Sequence, residues 1–343
     1  MAALRSSVLL AEASLDSVEA PSARREGVRN ARRELKAVRA IAPLCRCASG
    51  DREGDHEGMR KGDHEGVRKG DHVGGTRPDT RPDTRVDPRN DAIDGILEFS
   101  AKANQVLGTL RDRDALTRSI HRLSERFADD GTRRVVRTVL LATLILGESD
   151  KRDEAAFAAA SIERARRSLR SARAAMAAMA PLGDFRASAA PSAVGSPRGT
   201  AFDAEHASAL LVRSYRECRS ELEVALRDGD LARLHACRKK ASFLALALRP
   251  FEDEVPAPVR RLRARAKRLA AALGEDRDLA LLDVEMRVAR AQLAGSPLAG
   301  AIDGALRLAR LESGARVEDA AGDFLRLGGG RVKRSIRGLF GIA

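Results

Sequence analysis

Between residues 231 and 251 the apolar positions Leu234, Cys237, Ala241, Leu244 and Leu248 alternate at spacings of three and four, the stripe of a helix laid against a core. Beside that stripe His235, Arg238 and Lys239 stand at i, i+3 and i+4, so one face carries an imidazole and two cations within a turn. The pattern recurs at residues 25 to 46, where Val28, Ala31, Leu35, Val38 and Ala42 form the stripe and Arg29, Arg32, Arg33, Lys36 and Arg39 run alongside it. Arg29 occupies the place of His235. Downstream of each basic helix comes the same short signature, Leu107-Gly108 with Arg111-Asp112 and Leu273-Gly274 with Arg277-Asp278. Two copies of this pairing predict an internal duplication of about 150 to 200 residues, too long a period for a solenoid.

The same reading predicts helices over the chain start, 93–128, 131–147 and 150–180, then 203–227, 230–249, 256–273, 276–294, 299–312 and 317–326. The fold class is therefore all-α, with two pseudo-repeated antiparallel helical bundles. Residues 49–92 are different material: a glycine-led tetrad repeat and a Pro-Asp array, nearly free of apolar side chains, cannot bury surface to offset ordering entropy. They are expected to be a disordered insertion in a first half spanning 1–183. His56, His64 and His72 recur there without a scaffold to fix metal geometry, so no metal site is assigned. A second flexible stretch at 184–200 separates the halves, and the second half spans 201–343.

Composition sharpens this picture. Trp is absent, Tyr occurs once, and aromatics make up 3% of the 343 residues, so the core must be built of Leu, Ala and Val packed between helices. A formal charge of +13, carried mostly by arginine, implies an anionic partner and suits forked recognition of phosphate oxygens. Cys45, Cys47, Cys218 and Cys237 have neither zinc nor Cys-x-x-Cys spacing and read as reduced cytoplasmic thiols. The longest apolar run, Val139 to Gly147, is far below the roughly 18 residues that a membrane span needs.

These residues resemble the CHAD domain family, the conserved-histidine α-helical domain. Its two halves each open on a His-x-x-Arg-Lys-x-x-Lys helix and later carry a Leu-Gly-x-x-Arg-Asp type segment. The second half here matches at His235, Arg238 and Lys239, with Ser242 at the last lysine position; the first matches at Arg32, Arg33 and Lys36, with Arg29 for the histidine. Tyr215, Arg216 and Arg219 resemble the lead-in helix. The resemblance implies one helical domain with a basic central groove that binds inorganic polyphosphate, in the setting of cytoplasmic polyphosphate granules. Candidate phosphate contacts are Arg29, Arg32, Arg33, Lys36, Arg39, Arg216, Arg219, His235, Arg238, Lys239, Arg261, Arg265 and Lys267. Arg111-Asp112 and Arg277-Asp278, placed at helix starts, read either as phosphate contacts or as ion pairs tying helices together.

No enzyme is expected, and no cofactor. The Glu-x-Glu-x-Lys strand of triphosphate-tunnel domains is missing, since Glu221 and Glu223 are followed by Ala225 in a helical stretch, and no Walker loop or His-Glu-x-x-His occurs. The alternative is a non-specific nucleic-acid-binding basic helical protein. Scarce stacking aromatics and the lack of a helix-turn-helix or zinc module weigh against it.

Overall fold

A computed structural model describes residues 1–18, 21–46, 88–144, 151–178, 203–251 and 256–342. Among the described residues the chain forms ten α-helices and no strand. They are α1 (Ala2–Asp16), α2 (Pro21–Ile41), α3 (Pro88–Ser124), α4 (Asp130–Leu144), α5 (Lys151–Ala178), α6 (Ala204–Asp228), α7 (Leu231–Ala247), α8 (Ala257–Gln292), α9 (Pro297–Leu325) and α10 (Gly329–Leu339). Short 3-10 turns follow α2 (Ala42–Cys45) and α7 (Arg249–Phe251). The linker at 184–200 lies outside the described residues, as do most of the insertion at 49–92, its three histidines and Cys47. The last residues assigned to the insertion already belong to α3, which starts on Pro88, where a missing N–H costs nothing.

In the first half α1 packs on α2, α2 on α3 and α3 on α5; in the second, α6 packs on α7, α7 on α8 and α8 on α9. Across the halves α2 meets α7 and α3 meets α8. The predicted stripes are the buried ones: Val28, Ala31, Leu35, Val38 and Ala42 on α2 and its following turn, and Cys237, Ala241, Leu244 and Leu248 on α7, are all inside. One core lies within α1, α2, α3 and α5, and a second fills α6 to α10 and takes in Ala40 and Leu44 from the end of α2 and its following turn. A third joins the end of α3 (Ile120, Leu123), α4 (Val136, Leu140), the far half of α8 (Leu282, Met286) and the start of α9 (Ile302, Leu306).

That third core explains the main departure from the predicted elements. Helix boundaries are expected at Gly274 and near Gly314, yet α8 and α9 run straight through both. A mid-helix glycine costs about 1 kcal/mol, but α8 buries Leu262, Ala266 and Leu269 in the second core and Leu279, Leu282 and Met286 in the third. A break at Gly274 would forfeit one of these two surfaces. Arg277 and Asp278, and likewise Arg111 and Asp112 on α3, consequently sit inside long helices and not at helix starts.

Local chemistry fixes the joints. Gly229 at φ 65° ends α6, and the Asp230 carboxylate accepts from the amides of Ala232 and Arg233, so a two-residue turn folds α7 back along α6. At the α1–α2 crossing a Cβ on Gly27 would overlap the Ser14 carbonyl oxygen, so only glycine allows that approach.

Candidate functional site

The two basic helices, α2 and α7, lie against each other, and each faces the helix bearing its half's Leu-Gly signature. In the first half Arg32 is buried on the α2–α3 seam: its Nη1 donates to the Asn104 carbonyl at 3.1 Å and sits 3.2 Å from where a Cβ on Gly108 would be. In the second half Arg238 Nη1 lies 3.5 Å from the corresponding point at Gly274. In both signatures, then, a guanidinium from the basic helix reaches over the glycine. At Gly108 even a methyl group would press on Arg32, whereas at Gly274 it would rest in ordinary contact with Arg238.

The remaining sequence candidates divide by what they touch. Arg39, Arg216, Lys239, Arg261 and Lys267 are exposed, and among the described residues none makes an ion pair. Arg29 pairs loosely with Glu26 at 3.6 Å, and Arg33 with Glu34 at 3.3 Å. Lys36 and His235 are half-buried. Arg219 and Arg265 are engaged inside the fold: Arg219 donates to the carbonyls of Leu325 (2.7 Å) and Leu327 (2.9 Å), and Arg265 to that of Asp323 (2.9 Å). With the Tyr215 hydroxyl, which donates to Leu327 at 2.6 Å, they satisfy the open carbonyls where α9 ends. The bond between Arg219 and Tyr215 is the first cause raising the Arg219 pKa, ahead of its ion pair with Glu223.

Face geometry sorts the cations of α8 further. Lys267 stands two turns, and Arg263 about three turns, before Gly274, on the side that meets α7; Arg263 donates to the Ala245 carbonyl of α7 at 3.2 Å. Arg265 and Arg268 face α9, where Arg268 is paired with Asp319 and Asp323. Arg263 is thus a cation of the α7–α8 seam that the basic-helix pattern passes over. Its spacing from Gly274 is the signal that finds it.

Few carboxylates compete for this face. Neither α7 nor α8 as far as Gly274 contains Asp or Glu. The first acid after it, Glu275, is turned to Arg122 of α3 at 3.7 Å and Arg316 of α9 at 3.5 Å. On the far side of α7, Lys240 is held by Glu217 (3.2 Å) and Glu221 (3.8 Å) of α6. Although burial opposes it, the Glu217 carboxyl is brought below its ordinary pKa by hydrogen bonds from Arg213 and Lys240. Lys239 and Lys240, adjacent in sequence, therefore differ completely: one is free toward solvent and one is internally neutralised.

The side chains of Arg111 and Asp112 lie outside the described residues; Arg277 and Asp278 are half-buried. Burial pushes the Cys218 thiol up to about 12 and the Cys237 thiol to about 11, which keeps both protonated and poorly nucleophilic. Among the described residues no group of three or more His, Cys, Asp or Glu side chains could hold a metal ion, and no helix is long and apolar enough to cross a membrane. A cleft of about 380 Å³ between α3, α8 and α9 is lined by Ser119, Arg122, Arg126, Glu275 and Arg316. Its arginines are matched by Glu275 and Glu312.

A family model described as CHAD domain matches residues 90–287, more than half of the chain. No curated protein and no solved structure matches it.

Proposed function

Because the chain belongs to the CHAD domain family, we propose that it binds inorganic polyphosphate along a basic groove formed where α2 and α3 of the first half approach α7 and α8 of the second. The observation that carries this reading is the matched placement of Arg32 over Gly108 and Arg238 over Gly274, one guanidinium on the signature of each half. We read that match as the trace of a duplication that sets a guanidinium at corresponding points of the two halves. Arg238, half-buried, is the one that an anionic strand can reach, while Arg32 is buried and donates to Asn104. Lys36, His235, Arg238, Lys239, Arg263 and Lys267 supply the surrounding charge, and Arg29, Arg33 and Arg39 extend it along α2. Arg219 and Arg265, spent on the end of α9, support the site indirectly. The protein acts as a binder, not a catalyst, and its association with polyphosphate granules would follow from that binding.

The decisive experiment is a titration with polyphosphate at two salt concentrations, followed by competition with duplex and single-stranded nucleic acid at equal phosphate concentration. Affinity should fall steeply with salt, since each cation that meets a phosphate releases counterions. Nucleic acid should compete poorly. Equal displacement by nucleic acid would refute specificity for the polymer.

His235 adds a pH signature. An anion beside the imidazole favours its charged form, so binding should weaken as pH rises from 5.5 to 8.5, past the ordinary histidine pKa of about 6.5. His235→Ala should flatten this profile; an unchanged profile would remove the histidine from the site.

A further inference from the structure

The last helix carries charge that the groove does not use. Helix α10 buries Val332 and Ile336 against α6 and α8, and Phe340 just beyond it meets Phe251 edge-to-face with ring centroids 5.4 Å apart. Its outer arc holds Arg331, Lys333 and Arg334, all exposed, with Arg337 beside them, and the helix has no acidic residue. Among the described residues no carboxylate pairs with Arg331, Lys333 or Arg334. A helix so firmly docked could have neutralised its outer face with glutamates at i, i+4, as α6 does with Arg213–Glu217 and Arg219–Glu223. It does not.

Helix α8 connects this arc to the groove. It packs against both α7 and α10, and between Ala257 and Gly274 it bears six cations and no acid. Arg260, Arg261 and Lys267 are exposed along it, while Arg268 is neutralised by α9. Neighbouring helix axes stand about 8–10 Å apart, so with α8 touching both, the axes of α7 and α10 lie within about 20 Å of each other. An anionic strand leaving the α7–α8 seam would meet Arg260 and Arg261 next, then Arg331 and Arg334.

We infer that α10 is a second contact surface for the same polyphosphate strand, reached across α8, so that long polymers are held at both places and short ones in the groove alone. This rests on the polyphosphate reading above. Linking two weak contacts through one polymer raises the overall affinity without a new groove, because the second contact is made at high local concentration.

The test compares wild type with Lys333→Ala/Arg334→Ala, using tripolyphosphate and a polymer of several tens of phosphates at two salt concentrations. Both replaced side chains are exposed, so thermal unfolding should be unchanged. For the long polymer the variant should bind about tenfold more weakly, with a log–log salt slope shallower by about 1.4, taking about 0.7 per single-strand phosphate contact. Tripolyphosphate affinity should stay within about twofold. Three results overturn the inference: equal long-polymer binding by both proteins, an equal loss for tripolyphosphate, or a loss seen only with duplex DNA or anionic vesicles. If wild type bound neither probe, the groove reading itself would fail, which is a separate outcome.

Discussion

Replacing Arg249 with alanine should destabilise the fold by about 3 kcal/mol, more than replacing its partner Glu34 does. Glu34 lies on α2 at 2% exposure and accepts two bonds from the Arg249 guanidinium, at 2.8 and 3.0 Å, across 215 residues of sequence. Arg249 sits on the short turn after α7 and is 35% exposed, so the two ends of the pair are unequally wet. Without Arg249 the carboxylate stays buried, and among the described residues only Arg33, at 3.3 Å, is left to answer it. Without Glu34 the guanidinium can rehydrate, and the cost should be nearer 1–2 kcal/mol. Urea unfolding, read as the shift in midpoint at constant slope, measures both variants. The reverse ranking would show that the carboxylate reaches water in solution. Since the pair joins the two halves, the loss should appear as one cooperative shift and not as early melting of one half.

The second large effect concerns the ligand. Arg238→Ala/Lys239→Ala should weaken polyphosphate binding about a hundredfold, the loss of two charge-assisted contacts worth about 1.5 kcal/mol or more each. Lys240→Ala removes the same charge one residue further on, but that ammonium is committed to Glu217 and Glu221. It should leave affinity nearly unchanged. A net-charge effect would make the three positions equivalent, so equal losses per charge would overturn the assigned geometry.

Those adjacent lysines also mark how far the sequence can be read. Periodicity locates the buried stripes of α2 and α7 and both basic faces, because these depend only on local spacing. It cannot tell Lys239 from Lys240, since that difference is made by carboxylates on α6 that arrive through folding. Arg219 and Arg265 are plausible phosphate contacts by charge alone, and their carbonyl partners lie 106 and 58 residues away. Gly274 misleads in another way. Followed by the charged run Glu275 to Asp278 it resembles a helix end, whereas the third core keeps α8 continuous, with Arg238 from a neighbouring helix lying over the glycine.

The closure of α9 has an effect beyond local order. Its final carbonyls could have been capped by a glycine in left-handed conformation, with no help from outside the helix. The amides of Arg326 and Leu327 take those of Gly322 and Phe324. Those of Asp323 and Leu325, however, are held by Arg265 from α8 and Arg219 from α6, and the Leu327 carbonyl just beyond by Tyr215 and Arg219 from α6. The C-terminus is therefore not an appendage free to fray independently: for its last turn to peel away, three donors anchored in two other helices must let go together. Its protection against proteolysis is set by the integrity of the whole second bundle.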